Sequence, residues 1–166
     1  KEKLTNHKFT SETDTEILVH LIEDYYNETK SFEQAVKMAI KEVKGSYAFG
    51  AICIDEPDKI IAAKNESPLV IGVGKNSNFI ASDIPALLEH TREVLFIDDK
   101  EIAILKKDTI DIIDLDGNKK EKTTQTIDWD KEAAEKSGFK HFMLKEIYEQ
   151  PKAITETIAG RINDNN

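Results

Sequence analysis

Few side chains in this 166-residue sequence are of a type and spacing that could do chemistry. The single cysteine, Cys53, stands between Ile52 and Ile54 in a strand-like apolar run. That is the setting of a small buried hydrophobe rather than of an activated thiolate. The four histidines (His7, His20, His90 and His141) are scattered without the spacing that holds zinc, so the sequence offers no metal site. Gly72-Val73-Gly74 lacks the third glycine and the long following helix of a dinucleotide loop, and reads as a strand end and a turn; no cofactor is called for. Asp128 and Asp130, flanking Trp129, read as a solvated loop with an aromatic anchor rather than an acid–base pair. Asp14 stands at the expected start of a helix. There a carboxylate stabilises the dipole by ~0.3–1 kcal/mol without any further role, so a binding role and a plain structural one both stay open.

The elements that position these residues follow from periodicity. Residues 11–26 are expected to be helical, with Thr13 and Glu16 as a capping box and Ile17, Leu18, Leu21, Ile22 and Tyr25 as one buried stripe. A second helix is expected over 31–43, capped by Ser31, with Phe32, Ala35, Val36, Ala39, Ile40 and Val43 inward. Strands are expected over 46–54, 59–63, 69–73, 78–81, 93–97, 101–106 and 109–114. Glu56-Pro57-Asp58 reads as a turn, 84–89 as a brief helix, and 98–100 and 107–108 as hairpin connections, with Asp116-Gly117-Asn118 closing the run. Residues 119–140 read as irregular. Residues 141–150 read as helix or extended chain interrupted by Pro151, and 153–161 as a new helix. The pattern predicts an α+β fold with a largely antiparallel sheet.

Composition narrows the function without naming it. Apolar residues make up 39% and charged residues 33%, a globular balance. A formal charge of −9 argues against a nucleic-acid partner, which needs a basic face. No apolar run is long enough to span a bilayer, and no signal peptide opens the sequence. One cysteine excludes an internal disulfide and fits a reducing, cytoplasmic setting.

Several strings go beyond periodicity. S-E-T-D-T-E over 11–16, K-G-S-Y-A-F over 44–49, E-S-P-L-V-I-G-V-G over 66–74 and N-F-I-A-S-D over 78–83 resemble, in order and spacing, consecutive elements of class II glutamine amidotransferases. In that family an N-terminal residue is the nucleophile. H-F-M-L-K-E-I-Y-E-Q-P over 141–151 and I-A-G-R-I over 158–162 resemble the hinge of its glucosamine-6-phosphate synthase branch, the isomerising glutamine–fructose-6-phosphate aminotransferases. The resemblance covers nearly the whole chain and is weakest over 119–140.

The resemblance implies a partial αββα sandwich of the N-terminal-nucleophile hydrolase type, with mostly antiparallel sheets. Residues 1–140 would be a glutaminase domain lacking its N-terminal part, and 141–166 the hinge and the start of a sugar-isomerase domain. Such an enzyme hydrolyses glutamine and passes the ammonia to fructose 6-phosphate, giving glucosamine 6-phosphate. Its nucleophile is an N-terminal cysteine thiol, with the α-amino group as base. Residue 1 here is Lys and Cys53 falls on a core strand, so no catalytic residue is expected in this chain. Only Asp14 is carried over, as a charge-assisted acceptor for the α-ammonium of glutamine. The piece alone is expected to lack glutaminase activity and to self-associate through exposed sheet edges, and the parent to be a cytoplasmic homo-oligomer. A different class II amidotransferase, or a non-catalytic binding module of this fold, stays open as an alternative.

Overall fold

The computed structural model describes residues 4–128 and 138–158. The chain divides into two compact units, one ending at Ile127 and the other starting at Asp128.

The first unit opens with helix α1 (Asp14–Thr29), stopped by Lys30 in the left-handed region, whose N–H bonds to the Tyr26 carbonyl at 2.8 Å. Helix α2 (Phe32–Glu42) follows directly. Its cap is the expected one, since the Ser31 hydroxyl accepts from the Gln34 N–H at 3.4 Å, and Phe32, Ala35, Val36, Ala39 and Ile40 are buried. Eight strands then build two sheets. Strands β1 (Tyr47–Cys53), β2 (Glu56–Asn65), β6 (Ile102–Lys106) and β7 (Ile110–Ile113) form the first in the order β1-β2-β6-β7. Strands β3 (Val70–Val73), β4 (Asn78–Ala81), β5 (Glu93–Phe96) and β8 (Gln125–Thr126) form the second in the order β4-β3-β5-β8. Every pairing between strands is antiparallel.

Side-chain alternation stacks these layers. Ile61, Ala63 and Ile102 point to Phe32, Val36 and Ile40 of α2. Their neighbours Ala62, Ala103, Leu105 and Ile112 point the other way, onto Leu69, Ile71, Leu95 and Ile97 between the sheets. The central strands are therefore covered on both faces. The outer face of the second sheet packs Val70, Val94 and Ile127 against Leu87, with Ile84 and Leu88 beside it. The result is an α/β/β stack, α+β as expected, with a cover of turns on its far side.

In the first unit, four expectations about the strands and their connections change. Residues 84–89 form successive turns, not a helix, with Leu87 N–H on Ile84 O (2.8 Å) and His90 N–H on Leu87 O (2.8 Å). Residues 98–100 do not close a hairpin, because β5 and β6 lie in different sheets. The crossing is held by Asp99, which accepts from the Glu66 N–H (2.8 Å) and from Lys64 Nζ, and these contacts keep its carboxyl below the usual range. The turn between β1 and β2 falls on Ile54-Asp55, and Pro57 lies inside β2. Pairing with β6 starts only at Lys59, so the missing N–H of Pro57 leaves that ladder intact. Finally, β8 is a short strand on β5 within the stretch read as irregular.

In the second unit, helix α3 (Phe142–Ile158) runs through Pro151, where an interruption and a second helix were expected. No helix of the described residues is long and apolar enough to cross a membrane.

Candidate functional site

Asp14 is the first residue of α1 and is exposed. The loop before it is not held by the expected capping box. The Thr13 side chain makes no cap bond; its hydroxyl is 2.9 Å from that of Ser11. Glu16 reaches further back, to Thr10 and Ser11, accepting from both backbone N–H groups (2.6 and 2.7 Å) and both hydroxyls (3.0 and 2.6 Å). The Ser11 hydroxyl leads these contacts in holding the Glu16 carboxyl down at about 2. A carboxylate engaged by four donors is a rigid peg. It fixes the loop through which the chain enters α1, and with it the direction of Asp14.

From Asp14 a groove of about 810 Å³ runs along α1. Ile17, Leu18 and Leu21 line it on the helix side, Glu42, Val43, Lys44 and Ser46 on another, and Tyr47, Ala48 and Phe49 of β1 complete it. These α1 residues are only half-buried, so this part of the expected buried stripe is an open wall, while Ile22 packs against the core. Among the described residues, strand β1 pairs with β2 and stands at the end of its sheet. The polar groups on the lining are Asp14, Thr15, Glu42, Lys44 and Ser46. Tyr25 donates to Glu42, which pushes the Tyr25 phenol up to about 12. Ser46 donates to Glu66 at 2.9 Å. Burial, aided by the charge of Asp99, raises the Tyr47 phenol. The groove thus offers an apolar wall with a carboxylate at its Asp14 end.

Cys53, expected to be buried, is half-buried on β1 and packs, as Tyr47 and Phe49 do, against the α2-facing core. Trp129 and Asp130 lie outside the described residues, as do 159–162 of the hinge-like string. Spacing also missed one cluster. His7, in the loop, and His20 and Glu23, on α1, each place a ligand-type atom within 4.8 Å of the others. No sequence period links a loop residue to a helix face, so only the folded chain brings them together.

The Glutamine amidotransferase domain family matches residues 1–89, the stretch that holds α1, α2, Asp14 and the groove. The chain belongs to that family. Among curated relatives, the "Glutamine--fructose-6-phosphate aminotransferase [isomerizing]" of Caldanaerobacter subterraneus subsp. tengcongensis is 52% identical over 156 residues, covering 94% of this chain and 25% of that protein. The protein of the same name from Clostridium acetobutylicum is 48% identical, over 96% of this chain and 26% of its own length. That of Thermococcus kodakarensis is also 48% identical, over 96% and 27%. The chain spans about a quarter of the length of these relatives.

Proposed function

We propose that this chain is the glutamine-handling part of an isomerising glutamine–fructose-6-phosphate aminotransferase. In this reading residues 1–140 belong to the glutaminase domain, and 141–166 to the hinge and the start of the isomerase domain. The whole enzyme, a cytoplasmic homo-oligomer, hydrolyses glutamine of the class II, N-terminal-nucleophile kind and delivers ammonia to fructose 6-phosphate, yielding glucosamine 6-phosphate. Near-half identity along almost the full chain to proteins of that name supports the assignment.

The observation that carries the residue-level reading is the exposed Asp14 carboxylate at the head of the groove, on a loop pegged by Glu16. Asp14 accepts hydrogen bonds from the α-ammonium of glutamine, and the half-buried Ile17 and Leu18 wall lies next to the aliphatic part of the substrate. Cys53, packed among core aromatics, has no part in the reaction.

A charge-assisted hydrogen bond contributes ~1.5–3 kcal/mol, so Asp14→Asn in the whole enzyme raises KM for glutamine about 10- to 150-fold. Glutamate release at saturating glutamine changes far less, and Glu12→Gln, on the neighbouring exposed residue, leaves KM as it was. An unchanged KM in Asp14→Asn would remove Asp14 from substrate binding.

A further inference from the structure

We propose that His7, His20 and Glu23 form a binding site for one divalent transition-metal ion of the zinc class, away from the glutamine groove. Glu23 Oε2 lies 3.5 Å from His7 Nδ1 and 3.5 Å from His20 Nδ1. Ligand atoms at ~2.0–2.1 Å from a tetrahedral ion are about 3.4 Å apart, so two edges of a coordination polyhedron are already in place. His20 and Glu23 stand at i and i+3 on one face of α1, and His7 comes from the preceding loop.

The surroundings of His7 select the same nitrogen. His7 Nε2 is 2.7 Å from Asp24 Oδ1, so that nitrogen carries its proton and Nδ1 turns a lone pair toward Glu23. A carboxylate on the far nitrogen of an imidazole is the partner that orients metal-bound histidines. His20 Nε2 is buried without a hydrogen-bond partner; its nearest acid, Glu16, is 3.6 Å away and already engaged by Thr10 and Ser11. The two rings lie 4.4 Å apart, tilted by 37°, and Phe9 meets His20 edge-on at 4.9 Å. Both histidine side chains are largely covered, at 12% and 16% exposure. With Nδ1 of both rings unprotonated, a cation between them would take two imidazole nitrogens and the Glu23 carboxylate as ligands. Such an ion would pin the 4–10 loop to α1, next to the segment that Glu16 pegs.

The test is a titration of the metal-free, tag-free chain with Zn²⁺ by calorimetry and with Co²⁺ by visible absorption. One ion binds per chain, and Co²⁺ gives the intense d–d bands of a four-coordinate N/O site. His7→Ala and Glu23→Gln each weaken binding by at least about tenfold, and Asp24→Asn by about 10- to 100-fold. His141→Ala and His90→Ala leave it unchanged. Glu23 and Asp24 are surface residues, so their variants report even if a histidine variant fails to fold, which circular dichroism would reveal. No binding at tens of micromolar metal, or binding unaltered by Glu23→Gln and Asp24→Asn, overturns the site.

Discussion

Helices α1 and α2 share an amphipathic pattern and are joined only through Lys30 and Ser31, yet α2 buries five residues and α1 none. The difference lies in what each apolar face meets. The α2 stripe contains Ala35 and Ala39, small enough for the helix to settle onto β2 and β6. In α1, Ile22 and Tyr26 touch that same core, while Ile17, Leu18 and Leu21 look into the groove. A periodic stripe shows which face is apolar; it does not say whether protein or ligand covers it. One helix is scaffold and its neighbour is wall.

Substitution can break that contrast, most strongly in the core. Phe32→Ala empties a fully packed site in α2 and costs ~3–5 kcal/mol in urea unfolding. Leu18→Ala, on a side chain already half in water, costs less than about half as much. Equal losses would mean that α1 is as much a core helix as α2. The caps sharpen the same distinction at a smaller scale. Ser31→Ala removes a cap bond and costs ~1 kcal/mol, whereas Thr13→Ala, with no cap bond to lose, stays within about 0.5 kcal/mol. A thermal-melt series on both variants decides it.

A further effect shapes the acid limb of the stability profile. Glu16 is held from 4.5 down to about 2, so its contribution is present above the unfolded value and is lost as pH falls through that window. Glu16→Gln therefore flattens the stability profile between pH 4.5 and 2 and leaves its shape near pH 7 unaltered. An acid limb equally steep in the variant would show that the Thr10 and Ser11 donors do not favour the charged form.

Much of the scaffold was legible because local signals and global packing agreed. The period, small residues and serine cap of α2 point the same way, and the 107–108 hairpin joins strands that do pair. Where they parted, the sequence misled. Asp98, Asp99 and Lys100 have turn chemistry, but turn residues do not encode whether the next strand returns to the same sheet. Strand β8 has only two polar residues, Gln125 and Thr126, and forms because β5 offers an open edge. The place of Asp14 in the first turn of α1 was readable from the local pattern. The reach of Glu16 past Thr13 and the meeting of His7 with α1 were not, since both depend on how the loop folds back.

The proline inside α3 has a mechanical consequence. Residue 151 brings no N–H, so the Ile147 carbonyl loses the partner it would have four residues on, and the ring crowds that same carbonyl. Beyond it the Thr155 and Thr157 hydroxyls return to the carbonyls of Pro151 and Ala153, at 2.8 and 2.7 Å, bracing the next turn. The helix is thus two stiff levers with a compliant joint between them. A load arriving from either end is taken up as bending at one place, where no hydrogen bond has to stretch.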